Sequence, residues 1–333
     1  MKEIRLRQPG RLHNLYIGDG LPSPPGHGEI RVRLHASSLN YHDYLVVSGK
    51  LPVENDRIPM SDGAGEIVEV GPGVTEFIIG DRVISTFFPD WLAGRPDGLT
   101  ARVPGDSIDG YARHEVVAPA AFFTRAPAGY SYTEAATLVC AGLTAWRSLF
   151  VEGRLKPGET VLVQGSGGVS VFALQLAKAA GARVIATSSS SEKLERLRAL
   201  GADHLINYVE EPEWGLAAYK LADGRGVDHV VEVGGSGTLG QSIEACRMGG
   251  HISLIGVLAG FAGNISTAAI MMRQLRILGI TVGNRAQQQD LVRAVEANSI
   301  HPVIDRNFPL EAIAEAFRYQ ETGRHFGKIC LEW

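Results

Sequence analysis

The segment Thr160-Val-Leu-Val-Gln-Gly165-Ser-Gly167-Gly168-Val-Ser170 constrains this chain more than any other. An apolar run enters a glycine turn, and the turn opens an apolar helix through Phe172, Leu174, Leu176 and Ala177. A second strand follows at Arg183-Val-Ile-Ala-Thr187. This order reads as the βαβ start of a dinucleotide-binding fold, where free N–H groups at a helix N-terminus take a pyrophosphate. Glycine spacing alone would carry little weight; the flanking strand and helix supply the context that the chemistry requires. Gly165 is expected to make the tight turn and Gly167 to let the backbone approach the phosphates, with Gly168 and Val169 beside them. Ser170 stands where a third glycine is usual and is still small enough for close helix–strand packing.

About 20 residues beyond such a turn, an Asp or Glu normally takes the ribose 2′-hydroxyl of NAD. Here the sequence is Thr187-Ser188-Ser189-Ser190-Ser191-Glu192-Lys193. Hydroxyls and a nearby cation suit a 2′-phosphate better than a carboxylate does, so NADP is expected, with NAD still possible. The same serines also fit as caps for a helix over 192–200, with Ser190 or Ser191 in that place.

With 333 residues, the chain is long enough for two domains with ample core. Its net charge of −4 gives no electrostatic case for nucleic acid or an anionic membrane as partner. Met1-Lys-Glu-Ile-Arg has no apolar leader, and no later run approaches the ~20 apolar residues of a membrane span, so a cytoplasmic location is expected. Cys140, Cys246 and Cys330 are scattered without a CxxC spacing, which supports neither a disulfide framework nor a cysteine-rich zinc lobe.

Up to about Ala126 the chain reads as strands between Gly/Pro turns, including 29–35 and 65–70, with an irregular loop over 88–109. From about Tyr130 it alternates helix and strand, which implies a parallel sheet. Strands are expected at 160–164, 183–187, 204–207, 227–233, 251–255 and 277–282, the six of a doubly wound fold. A helix over 290–298, an extended piece over 301–308, a helix over 310–322 and a strand over 328–331 follow. That last strand is expected to return to the β-rich part.

Asn40-Tyr-His-Asp43, Ser61-Asp62-Gly-Ala-Gly65-Glu-Ile-Val-Glu-Val-Gly71, Gly80-Asp-Arg-Val83, residues 135–145, the glycine turn and Arg324-His-Phe-Gly-Lys328 occur in this order. Together they resemble the medium-chain dehydrogenase/reductase superfamily, and within it the zinc-independent branch similar to quinone oxidoreductases. The resemblance implies an α/β protein: a β-rich, GroES-like catalytic domain from 1–127 plus 287–333, and a doubly wound Rossmann domain with a six-stranded parallel sheet over 128–286. It further implies a cofactor and substrate cleft between domains, and a homodimer. The apolar edge at 277–282 suits pairing across a two-fold.

Zinc-dependent members of the superfamily hold catalytic zinc through Cys, His and a second Cys or a Glu. Their positions fall at Asn40, Ser61 and Cys140, with Asp62 adjacent. Asn and Ser are poor replacements for such ligands, so no zinc is expected. Without it, hydride transfer suits an acceptor that is already electrophilic, and the expected substrate is a small hydrophobic quinone or α,β-unsaturated carbonyl. By resemblance Asn40 lies in the active site, with Tyr41, His42 and Tyr44 as pocket or proton-donor positions. Burial against neighbouring loops would equally explain both tyrosines, and Asp43 reads as structural.

The resemblance places Ser188, Ser189 and Lys193 around the 2′-phosphate and Tyr208 beside the adenosine phosphate. Gly234, Ile255 and Gly256 would border the ribose and nicotinamide. Arg285 and Lys328 are either cofactor neighbours or solvated charges. Two other readings stay open: an alcohol dehydrogenase or carbonyl reductase ligating metal through Cys140 and Asp62, and a non-catalytic dinucleotide-binding sensor.

Overall fold

The computed structural model describes residues 1–21 and 23–333. The chain divides into two compact units, Met1–Leu143 with Gly283–Trp333, and Thr144–Val282.

The second unit is built on a six-stranded sheet in the order His204–Asn207, Arg183–Ser188, Thr160–Gln164, Val227–Glu232, Cys246–Leu254, Arg276–Gly279. Every neighbouring pair is parallel. In chain order this is 3-2-1-4-5-6, the order of a doubly wound dinucleotide fold. Thr160–Gln164 and Val227–Glu232 are buried at every position, which is why they read as unbroken runs rather than alternating ones. Leu162, Ile185, Val230 and Ile252 meet Trp214, Ala218, Leu239 and Ile243 in one apolar cluster. The outermost strand covers only Arg276–Gly279, shorter than the expected 277–282. Ile280 and Val282 are buried beyond its end, and Val282 has a φ of 44°, a conformation no strand holds.

The first unit carries a seven-stranded, mostly antiparallel sheet. Its order is Ile304–Pro309, Lys328–Glu332, Glu29–Ser38, Ala64–Val70, Arg82–Ser85, Phe123–Arg125, with Glu115–Pro119 also on Glu29–Ser38. The Lys328–Glu332 strand therefore does return to the β-rich unit, with Cys330 opposite Ser38. Residues 128–143 fall with this unit rather than with the Rossmann unit, as do 283–286. The helix Tyr132–Ala136 explains the first shift. Ser131 Oγ accepts from Glu134 N at 3.2 Å, Ser131 N donates back to Glu134 Oε2 at 2.8 Å, and the helix so capped packs on Glu29–Ser38 and Lys328–Glu332. Among the described residues, no helix is long and apolar enough to cross a membrane.

Candidate functional site

In the second unit, Gly165 follows the Thr160–Gln164 strand with φ at 70°, a left-handed conformation that favours glycine, and its N–H donates to Thr187 O at 2.8 Å. Gly167 is the N-cap of the Gly168–Ala179 helix. A Cβ added at Gly165 or Gly167 would meet no heavy atom within 4 Å, so the turn faces open space. Helix N–H groups at an open glycine turn form an anion cradle. Ser170, buried, donates from Oγ to Gln164 O at 2.6 Å and fastens the helix to the strand where a third glycine would have allowed contact. The residues present thus fit a dinucleotide pyrophosphate.

The next strand ends at Ser188, which is buried and accepts from Ser190 N at 3.2 Å; Ser189 is exposed. Ser190, not Ser191, caps the helix Ser191–Ala199, accepting from Lys193 N at 3.3 Å. Tyr208 N donates to Ser188 O at 3.2 Å, so the half-exposed Tyr208 sits on the turn beside this serine group. Ser188, Ser189 and Tyr208 therefore lie at the ends of the two adjacent strands Arg183–Ser188 and His204–Asn207, with Lys193 in the first turn of the helix that follows. Gly234, Ile255 and Gly256 follow the ends of the adjacent strands Val227–Glu232 and Cys246–Leu254. Ile255 N and Gly256 N donate to Glu232 O at 2.9 and 3.2 Å. A Cβ on Gly256 would lie 2.2 Å from Val233 O, so only glycine fits.

Glu232 organises this region and was not singled out from the sequence. Fully buried, it accepts on Oε1 from Gly234 N (2.8 Å), Gly235 N (3.0 Å) and Thr238 Oγ1 (2.5 Å). Oε2 accepts from Gln164 Nε2 at 2.7 Å and from Ser242 Oγ. Gln164 Oε1 in turn accepts from Val233 N at 3.2 Å. The carboxylate so couples the residue before the glycine turn to the Gly234–Gly235 turn. A signal existed in the sequence: Gln164 and Glu232 are polar ends of apolar strands, each followed closely by glycine.

The first unit holds a second, polar cluster. Asn40 caps the short helix Tyr41–Val47, and its N donates to Asp43 Oδ2 at 2.9 Å, while Ser61 N donates to Asp43 Oδ1 at 2.8 Å. Lys328, buried, donates from Nζ to Leu39 O and to Asn40 Oδ1, both at 2.6 Å. Asn40 Nδ2 faces Ser61 Oγ at 3.3 Å and Ser38 O at 3.4 Å. Asp62 is fully buried and its Oδ2 accepts from Ser38 Oγ at 2.5 Å. Burial pushes its carboxyl up to about 7, against the pull of the Lys328 charge. At His42, burial opposes the charge, but Asp106 (3.3 Å) and Asp43 (3.6 Å) outweigh it and hold the imidazole up at about 9.

Two family models match this chain: "Alcohol dehydrogenase GroES-like domain" over residues 26–128 and "Zinc-binding dehydrogenase" over 168–297. A zinc-type alcohol dehydrogenase-like protein of Schizosaccharomyces pombe is 44% identical over 94% of this chain and 93% of its own length. The chain belongs to the medium-chain dehydrogenase/reductase superfamily. A crystal structure of an NAD-dependent alcohol dehydrogenase superposes with a TM-score of 0.92 at 36% identity, covering 100% of both chains. A quinone oxidoreductase of Pseudomonas syringae gives 0.84 at 27% identity, covering 100% of this chain and 99% of its own. The protein is accordingly an NAD(P)-dependent oxidoreductase of this superfamily.

Within that superfamily the remaining expected site residues divide clearly. Asn40 lies in the polar cluster, and Lys328 joins it there as a buried residue rather than a solvated charge. Tyr44 donates from its hydroxyl to Glu321 Oε1 at 2.9 Å. Tyr41 packs beside it, ring centroids 6.0 Å apart. Arg285 commits its guanidinium to Phe123 O at 2.9 Å and to Glu76, both within the first unit. The zinc positions fare poorly. Asn40 Oδ1 accepts from an ammonium, Ser61 offers a neutral hydroxyl, and among the described residues no three His, Cys, Asp or Glu side chains are grouped to hold a metal ion. This donor set does not fit catalytic zinc, which takes mainly thiolate and imidazole ligands.

Proposed function

We propose that this protein is an NADPH-dependent reductase of quinones or α,β-unsaturated carbonyls that works without catalytic zinc. The observation carrying this reading is the Lys328 ammonium at 2.6 Å from Asn40 Oδ1, a fixed cation at a position where zinc-dependent relatives place a metal ligand. Bound reduced nicotinamide supplies the hydride. The chain's own residues supply the rest. Gly165, Gly167, Gly168 and Val169 hold the pyrophosphate at the helix N-terminus. Ser188, Ser189 and Lys193, with no carboxylate at the strand end, leave room and hydrogen-bond donors for a 2′-phosphate. Asn40 Nδ2 donates to the substrate oxygen as negative charge develops there. An enone or quinone needs only that modest stabilisation, because its acceptor carbon is already electrophilic.

The test is nicotinamide oxidation with NADPH and with NADH by chelator-treated protein, across quinones, enones, ketones, aldehydes and alcohols. Chelator-insensitive turnover of quinones or enones, faster with NADPH, is the expected result. Turnover confined to alcohols or simple carbonyls and restored by zinc overturns the mechanism. Preference for NADH refutes the reading of Ser188, Ser189 and Lys193. Tight cofactor binding without turnover of any substrate would identify a sensor instead.

A further inference from the structure

Lys328 was expected either beside the cofactor or in solvent, and the structure buries it rather than leaving it solvated. Its ammonium is buried on two oxygens, Leu39 O and Asn40 Oδ1, each 2.6 Å away. An amide side chain presents an oxygen on one side and an NH2 on the other, and neighbouring groups decide which way round it sits. A lysine amine bears hydrogens on every side except its stem and cannot share a short contact with an amide NH2. Asn40 is therefore locked with Oδ1 toward Lys328 and Nδ2 toward Ser61 and Ser38. The Nδ2 contacts to Ser61 and Ser38, 3.3 and 3.4 Å, are long for N–H···O bonds, and the Asp62 carboxyl is a third polar neighbour of this amide, so the donor is oriented among acceptors without a short bond to either of the first two.

We infer that Lys328 is a positioning residue for the reduction: it fixes the Asn40 amide with its N–H groups presented to the substrate oxygen, and strengthens them by polarising the amide from behind. Hydrogen bonds in series reinforce one another, and a charged donor at Oδ1 makes the Nδ2 protons better donors. Asp43 holds the Asn40 backbone through Asn40 N and anchors Ser61 N, so the amide has little freedom to escape this orientation. Asp62, buried in the same cluster, places an acidic group near the ammonium without an ion-pair contact to it. This inference rests on the reductase reading above.

The experiment compares wild type, K328M, N40D and the K328M/N40D double variant with one quinone or enone that the wild type reduces. NADPH affinity is measured separately by cofactor fluorescence. N40D keeps an oxygen for the ammonium and replaces the donor with a carboxylate, so it tests the idea even if K328M fails to fold. Removing one oriented donor of this kind typically costs about 10²–10³ in kcat. The expected result is a loss of about that size in N40D and a comparable loss in K328M. NADPH Kd should stay within about twofold in both, and the double variant should be little worse than either, as for residues acting as one unit. In a further variant, K328A, added ethylammonium should partly restore turnover. A K328M loss that falls on NADPH affinity would make Lys328 a cofactor contact and overturn the inference. Losses that multiply in the double variant, or an unaffected kcat in N40D, would overturn it as well. Absence of wild-type turnover with every quinone and enone counts against the reductase reading instead, and so the two failures are distinguishable.

Discussion

Glu232→Gln is the most informative single change in the Rossmann unit, because the substitution alters one atom in a fully occupied site. The wild-type carboxylate accepts five hydrogen bonds, three on Oε1 and two on Oε2. The Gln oxygen must face Gly234 N, Gly235 N and Thr238 Oγ1, since two of these are backbone donors that cannot turn away. The new NH2 then faces Ser242 Oγ and Gln164 Nε2. Ser242 Oγ, which already accepts from Gln164 Nε2 at 2.7 Å, can accept from the new NH2 as well, but its own hydroxyl hydrogen loses Glu232 as acceptor. Gln164 cannot flip without turning its NH2 onto Val233 N, which Oε1 now satisfies at 3.2 Å. At least one buried donor is left without an acceptor, which costs about 1–3 kcal/mol. For a unit of this size each kcal/mol lowers Tm by about 2–4 °C, so a fall of about 2–12 °C is expected by calorimetry. The compensating swap Gln164→Glu with Glu232→Gln removes the conflict, because a carboxylate at 164 accepts from Val233 N, the new NH2 and Ser242 together. That double variant should recover most of the loss. Glu232→Gln melting within about a degree of wild type, or a swap no better than the single change, would refute the reasoning.

Further outcomes follow from other sites. Gly256→Ala forces a Cβ to within 2.2 Å of Val233 O, so the variant should be destabilised and should bind NADPH more weakly, checked by melting and fluorescence titration. His42 is held up at about 9 from an ordinary 6.5, so its contribution to stability is complete below about 6.5 and is lost as pH rises through 9. His42→Gln should flatten the alkaline limb of the Tm-against-pH curve, and an unchanged limb would count against the Asp106 and Asp43 contacts. His251 behaves oppositely: burial, with His229 and Arg276 nearby, pushes it down to about 4, so acidification from 6.5 toward 4 favours the unfolded chain. His251→Phe should flatten the acid limb.

The Rossmann sheet was legible because its strands are buried on both faces, so burial and apolar sequence coincide along whole runs such as Thr160–Gln164. The glycine turn was legible because positive φ and open approach leave glycine as the favoured residue. Neither the polar cluster nor the Glu232 network could be read in the same way. Lys328 is 288 residues from Asn40, and no local pattern tells a lysine that will be buried from one that will be solvated. Glu232 ends its strand as Gln164 ends its own, but its five donors become visible only once that second strand end, the Gly234–Gly235 turn and the helix over Leu239–Ala245 with its cap Thr238 converge. Residues 128–143 group with the β-rich unit for a related reason. Helical rhythm suggested the α/β unit, while the packing face of Tyr132–Ala136 belongs to the antiparallel sheet.

The separation between Asn40 and Lys328 also orders events during synthesis. The whole of Thr144–Val282 lies between them in the chain, and it can begin to fold as a unit while Lys328 has yet to be added. The β-rich unit has no such option, because the strand Lys328–Glu332 fills its place between Ile304–Pro309 and Glu29–Ser38. On the reading proposed above, a nascent protein gains the means to grip its dinucleotide before it gains the Asn40–Lys328 pair, and incomplete chains released before residue 328 would bind cofactor without turning it over.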